Sequence, residues 1–298
     1  MSETKRVDNP ARFIDAHCHL ADHRLFKRLD AMFAAARTRE IGAFIQGGIH
    51  PTDWDLQLEL AERYPGVVYP CFGIHPWFVA GRMGVTGAEL KKQVDHALEI
   101  LPEYLSRTLA NGQSKAIAIG ELGIDLGPKT DPGTEEYQTE VFVRQLEIAK
   151  KANLPLVLHT VKAHPQTLAL LAQHGPWPRG GLVHAFSGSY EIAREYERLG
   201  LTPSIGGVAA KKGYETLKRA LKRLPLESIV VESDSPDQIP DEYHGFEEGT
   251  NDPRSLWTVA EAICKLKEQE GLKPEQVLEA SRLNLFRIFG LELRVISL

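Results

Sequence analysis

Short apolar runs recur along this chain at regular intervals, and they restrict its fold more than any other feature. They are Phe13–Ala16, Ile41–Gln46, Val67–Gly73, Ala116–Gly120, Leu154–Leu158, Gly181–Ala185, Thr202–Ile205 and Ser228–Val231. Each is four to seven residues long and most are rich in Ile, Val or Leu. Runs without polar alternation suit strands buried on both faces, as in a parallel sheet. Between them lie segments with helical spacing and charged faces: Leu25–Glu40, Asp53–Tyr64, Gly87–Leu109, Glu136–Lys151, Ala163–His174, Tyr190–Leu199 and Gly213–Leu224. Pro253–Gly271 and Pro274–Phe289 follow the last run. Strands and helices in one unbroken alternation predict an α/β chain folded as a single-domain (β/α)8 TIM barrel, with a flexible stretch over residues 1–11.

A doubly wound open sheet is the competing architecture. It carries a glycine-rich phosphate turn after its first strand, whereas the first run here leads into His17-Cys18-His19. The barrel therefore accounts for the sequence better. A net charge of −5 gives no global basic field for nucleic acid, so a polyanionic substrate needs local cations or metal ions. Three cysteines, odd in number and far apart, give no disulfide framework. The polar N-terminus lacks the apolar core of a signal peptide, and no apolar run is long enough to span a membrane. The expectation is a cytoplasmic protein with no membrane association and no obligate protein partner.

In a barrel of this kind the chemistry sits where strands end and βα loops begin. Those positions hold His17 and His19, then His75, Glu121, His159, His184 and Asp234. Each alone has a structural explanation: a turn residue, a helix-terminal acid or a hydrogen-bonded core histidine. Their shared placement on one rim favours a metal site. Leaving His75 aside, four histidines and two carboxylates exceed one tetrahedral ion but suit two divalent ions sharing a carboxylate. Glu121 is the expected bridge, with His17, His19 and Asp234 on one ion and His159 and His184 on the other. Such a pair of ions acidifies a water and braces attacking and leaving oxygens, which points to hydrolysis, most economically of a phosphoester. Asp234 is the expected general base, and Asp15 the carboxylate that orients a ligand histidine. Zn, Mn or Mg would each suit this donor set.

From Phe13 to about Leu291 the chain resembles the TatD family of metal-dependent deoxyribonucleases. The matching pieces are Asp15-Ala16-His17-Cys18-His19-Leu20, Gly73-Ile74-His75-Pro76, Gly120-Glu121-Leu122-Gly123-Ile124-Asp125 and Leu158-His159-Thr160, in that order. His184-Ala185-Phe186-Ser187-Gly188-Ser189, Glu232-Ser233-Asp234-Ser235-Pro236 and Asn284-Leu285-Phe286 complete the series. The resemblance implies metal ligation by His17, His19, Glu121, His159, His184 and Asp234, DNA as substrate, often exonucleolytic action, and a cytoplasmic location. The chain departs from the family where substrate would be gripped. Lys162 and His164 stand near the usual arginine after the fifth strand, Leu126-Gly127-Pro128-Lys129 replaces an aromatic and an arginine, and the approach to Asn251-Asp252-Pro253 is acidic. His75, Lys162 and Lys211 are the substrate-binding candidates, with Lys212 and Arg254 as further cations and Trp77 as a base-stacking surface. Two alternatives compete with DNA cleavage: a metal-dependent hydrolase of a small ester, lactone or amide, and a non-catalytic binding protein on an inherited barrel.

Overall fold

The apolar runs become eight parallel strands, paired neighbour to neighbour in chain order. They are β1 (Phe13–Cys18), β2 (Ile41–Gln46), β3 (Val68–Phe72), β4 (Ala118–Asp125), β5 (Leu156–Val161), β6 (Gly181–His184), β7 (Leu201–Ile205) and β8 (Val230–Val231). The computed structural model describes residues 12–108 and 116–291. Residues 1–11, expected to be flexible, and Leu109, expected to end a helix, lie outside the described residues. The principal outer helices are α2 (Leu29–Arg37), α3 (Pro51–Arg63), α5 (Gly87–Ser106), α6 (Glu135–Ala152), α7 (His164–His174), α8 (Tyr190–Arg198) and α9 (Glu215–Arg223). After β8 come α10 (Leu256–Lys267) and α11 (Pro274–Phe289); one-turn helices α1 (His23–Phe26) and α4 (Pro76–Val79) follow β1 and β3. No helix or strand interrupts the loop from the end of β8 to Asp252 apart from turns, as its acidic and proline-rich composition predicts.

Two layers of apolar side chains hold the barrel together. Phe13, Phe44, Phe72, Ile119, Leu156 and Val183 pack outward against helical residues such as Trp54, Phe142 and Leu146. A smaller cluster of Ile14, Ala16, Ala43, Ile45, Ala118, Val157, Leu182 and Val230 fills the interior. Leu285 and Phe289 from the end of α11, with Leu291 just after it, close that cluster. Asn284 locks α11 in place by donating to the carbonyls of Leu226 (2.8 Å) and Ile229 (2.6 Å) on the approach to β8.

The seam between β8 and β1 is closed by the residues just past the short eighth strand. Asp234 N–H donates to the His17 carbonyl (2.9 Å), and His19 N–H to that of Ser235 (2.7 Å). Asp15 reinforces the seam: Oδ1 accepts from Ser233 N–H (2.9 Å) and Oδ2 from Ser233 Oγ–H (2.5 Å). Its one link to a candidate ligand is a longer bond from the His17 backbone N–H (3.3 Å). The expectation that Asp15 orients a ligand imidazole is therefore corrected: its carboxyl turns toward β8 and joins backbones. Burial pushes that carboxyl up to about 8, against the pull of the Ser233 and His17 hydrogen bonds.

Candidate metal centre at the carboxyl end of the barrel

Glu121 lies on β4, which runs on to Asp125 and does not end at Gly120. The strand can continue because Leu122 and Ile124 remain in the outer core while Gly123 passes close to β5. A Cβ on Gly123, whose φ is +151°, would lie 1.9 Å from the His159 carbonyl oxygen. Gly47, just after β2, clears the other side of the site: its Cβ would lie 2.3 Å from His17 Cε1 and 2.9 Å from Glu121 Oε1. Glycine is thus required where the imidazole and carboxylate crowd against the backbone.

The two oxygens of Glu121 face different partners. Oε1 lies 3.4 Å from His17 Nε2 and 3.3 Å from His19 Nε2. Oε2 lies 3.3 Å from His159 Nδ1, 3.4 Å from His184 Nε2 and 3.6 Å from His75 Nε2. Asp234 Oδ1 closes the cluster at 3.5 Å from His19 Nε2 and 3.8 Å from His184 Nε2. All the ligand candidates named from the sequence therefore meet around one carboxylate. His184 sits closer to His17 than the expected division between two ions implied, for their ring centroids are 3.9 Å apart. His75, expected on the substrate side, joins Glu121 and His159.

The donor set fits divalent metal. Both oxygens of Glu121 and both ring nitrogens of His17 are buried and without a hydrogen-bond partner, which is costly unless something occupies the space between them. Donor atoms bound at 2.0–2.2 Å to a tetrahedral ion stand about 3.4 Å apart, which matches the spacing around Glu121. Among the described residues three groups offer donors within 4.8 Å of one another: His17, His19 and Asp234; His17, Glu121 and His184; and His75, Glu121 and His159.

The electrostatics also call for positive charge. Burial disfavours the Glu121 carboxylate, yet the surrounding imidazoles hold it well below the usual range. Burial works against imidazolium at His184, but Glu232, Asp234 and Glu121 outweigh it and lift the ring to about 10. His19, with Glu121 and Asp234 beside it, is lifted against burial to about 9. Asp234 is held down to about 2, because His184 and His19 overcome the effect of burial. His17, unlike His19 and His184, is pushed down, first by burial and then by His184.

Outer carboxylates fix the ring orientations, a common arrangement around metal-binding histidines. His184 Nδ1–H points to Glu232 Oε1 (3.0 Å), which also accepts from Ala185 N–H (2.7 Å). Ser204 Oγ–H donates to the second oxygen of Glu232. His159 Nε2–H points to Asp125 Oδ2 (3.0 Å), which the Trp77 indole N–H also reaches (2.6 Å). These partners leave His184 Nε2 and His159 Nδ1 as the nitrogens that face Glu121. Two glutamines two turns apart on α6 support the same side. Gln138 takes both backbone polar groups of Asp125, and Gln145 both of Ile74, beside His75. Reading the sequence missed the roles of Asp125, Glu232, Gln138 and Gln145, although two of them stood inside the quoted motifs. Buried glutamines seven positions apart on one helix face were the available signal.

His75 is built differently from the other histidines. Its Nδ1 accepts the Trp77 backbone N–H (2.9 Å), capping α4. Burial, with His159 beside it, holds the ring well below the ordinary imidazole range. The neutral tautomer assigned by that cap carries its proton on Nε2, which lies 3.1 Å from His159 Nδ1. His75 therefore presents an N–H donor to the cluster.

The expected cations fare unequally. Lys162 follows β5 directly and is exposed, and Lys211 ends the turn after β7. His164 turns away to Tyr196 Oη (3.1 Å) and the Phe186 ring, and burial pushes it down to about 4. Arg254 is held by both oxygens of Asp252 at 2.8 Å and lies over the Phe246 ring, so the fork of its Nε and Nη2 is already engaged. Among the described residues no helix is long and apolar enough to cross a membrane.

Comparison with known proteins agrees with this geometry. The family described as TatD related DNase matches residues 14–290. Human deoxyribonuclease TATDN3 is 32% identical over 280 residues, spanning 93% of this chain and 94% of its own. YjjV of Escherichia coli K12, named a metal-dependent hydrolase, is 31% identical over 277 residues, spanning 93% of this chain and 98% of its own. The YjjV crystal structure superposes with a TM-score of 0.80 at 29% identity, covering 95% of this chain and 99% of that one. On the extent of the family match and the full-length likeness to these relatives, the chain belongs to the TatD-related DNase family.

Proposed function

We infer that this chain is a divalent-metal-dependent phosphodiesterase that cleaves DNA with water, acting from strand ends, in the cytoplasm. The observation that carries the reading is Glu121: a buried carboxylate whose oxygens have no hydrogen-bond partner and face imidazoles on two sides. That arrangement supports two ions, with Glu121 shared, His17, His19 and Asp234 on one side and His159 and His184 on the other. Zn, Mn or Mg held by these residues would supply the Lewis acidity for hydrolysis.

The chain's own residues handle the proton and the orientation. Gln238 Nε2–H donates to Asp234 Oδ2 (2.8 Å), which leaves Oδ1 facing His19 and His184. An ionised Asp234 is thereby positioned to accept the proton of the attacking water through Oδ1. With a metal ion on His159 Nδ1, the Nε2–H of His75 that points to that nitrogen would be free to donate to a phosphate oxygen. Lys162 and Lys211 are proposed as outer cations for the strand. A cytoplasmic setting is supported by Cys18, Cys71 and Cys264, all of which are free.

The test is to strip the protein of metal, reload it with Mg, Mn or Zn, and follow an end-labelled single-stranded oligonucleotide beside Asp234→Asn. Metal-dependent shortening from one end, lost in the variant, is the expected result. Intact DNA with metal binding verified, together with cleavage of a carboxylic ester or lactone, would overturn the DNA assignment in favour of a small-molecule hydrolase.

A further inference from the structure

The geometry points to Arg82, seated on the indole of Trp77, as an anion-binding group that grips a backbone phosphate beside the metal centre. The inference rests on the phosphodiesterase reading above and names a residue that determines its preference for a polynucleotide. Trp77 is a fixed platform. Its N–H is held by Asp125 Oδ2, the oxygen that also holds His159, and its ring lies 5.1 Å from that of His75 and 6.1 Å from that of His159. The Arg82 guanidinium carbon lies 3.9 Å from the indole centroid, and Arg82 N–H closes the turn onto the Trp77 carbonyl (3.0 Å). These ring distances place the guanidinium no more than about 10 Å from the His159 imidazole, within about three nucleotides of the cluster at ~3.4 Å rise per nucleotide in a stacked strand.

What singles out Arg82 is the state of its donors. Among the described residues four arginines stand on the loops and first turns at this end of the barrel: Arg24, Arg28, Arg82 and Arg254. Arg24 is bound by Asp22 and Asp237, Arg28 by Glu247, and Arg254 by Asp252. Arg82 is exposed and has no carboxylate within ion-pair distance among the described residues. A carboxylate would consume the guanidinium fork, whereas an aromatic face fixes its plane and leaves the edge N–H donors free for a bidentate phosphate. Charge around the mouth agrees. The loop after β8 carries Asp237, Asp241, Glu242, Glu247 and Glu248, whereas the loops after β3 and β5 carry Arg82 and Lys162 without a carboxylate and the loop after β4 carries Lys129 with Asp131. A polyanion is thereby directed to the β3–β5 side, where Arg82 stands.

The experiment compares the metal-loaded full-length protein with Arg82→Gln and Arg82→Lys on two substrates. One is a single-stranded oligonucleotide; the other is bis(p-nitrophenyl) phosphate, a diester with no neighbouring phosphate. For Arg82→Gln the ratio of kcat/KM for the oligonucleotide to that for the small diester should fall about tenfold, through KM. The slope of log KM against log salt should flatten by about one. Arg82→Lys should recover part of the affinity, since it restores the charge without the fork. An unchanged ratio and slope in Arg82→Gln, with the wild type active on DNA, would overturn the inference and leave the phosphodiesterase reading intact. An equal loss on both substrates with lowered metal content would overturn it too, showing a supporting role for the Trp77 turn. A wild type that neither binds nor cuts the oligonucleotide would bring down both readings.

Discussion

On the β1–β8 side of the mouth the backbone sets the candidate ligands; on the β3–β5 side, side chains set them. Asp234 and His19 are tied to the opposite strand through their own amides, and Asp15 joins the two strands at Ser233. His159 and His75 instead depend on Asp125, Trp77, Gln138 and Gln145, which reach in from a strand, a turn and a helix. The two sides also treat arginine differently, since the first pairs it with acids and the second leaves Arg82 on an aromatic ring. The lesson is that one wall of the site is as rigid as the barrel seam, while the other is open to tuning by single substitutions.

The largest effect should come from the residue the two sides share. Glu121→Gln keeps the shape but removes the charge facing both groups of histidines, and activity should fall by about 10³-fold or more with loss of bound metal. Elemental analysis with DNA-cleavage kinetics checks it; a variant that keeps full metal content and rate would remove the idea of a shared carboxylate. Next, Asp234→Asn should lower kcat by about 10²- to 10⁴-fold while binding of the oligonucleotide persists, as expected for a lost proton acceptor.

Asp125→Asn and Glu232→Gln sharpen the comparison itself, because each removes the negative charge from the outer acceptor of one imidazole and turns one of its two accepting oxygens into a donor. Each should weaken metal binding by about 10- to 100-fold. Titration by calorimetry should place the Asp125→Asn loss in one binding step only if the walls act independently; a loss spread over both steps would merge them into one unit.

The smallest effect is in stability against pH. His19 and His184 are lifted to about 9 and 10 in the fold, above an ordinary value near 6.5. Their contribution to the metal-free protein is therefore complete below about pH 6.5 and is lost as pH rises through 9 to 10. The Tm of the metal-free protein should fall across pH 7–10, and that of the metal-loaded protein, in which these rings have no proton to lose, should fall less. Parallel curves in scanning fluorimetry would show that the two rings do not carry protons in the metal-free state.

The loops show how unevenly the site was legible. His17, His19, Glu121, His159, His184 and Asp234 could be placed together because strand ends are visible in the apolar rhythm, and a barrel gathers those ends on one rim. Ring orientation was not legible. Glu232 contacts a histidine 48 residues earlier in the chain, and Asp125 contacts one 34 residues later. Arg254 looked as available as any other cation until its fork was found closed on Asp252.

By itself the sequence determined the strands, the helices that alternate with them, and the kind of side chain delivered to each strand end, because periodicity and residue type are local properties. Tertiary structure alone decided that Asp15 faces Ser233, 218 residues away, and not an imidazole. It also decided that His75 offers a proton where other histidines offer lone pairs, and that Arg82 is the arginine left without an acid. These outcomes depend on which distant groups compete for the same hydrogen bond, and that competition is settled only when the barrel closes and brings them within 3 Å of one another.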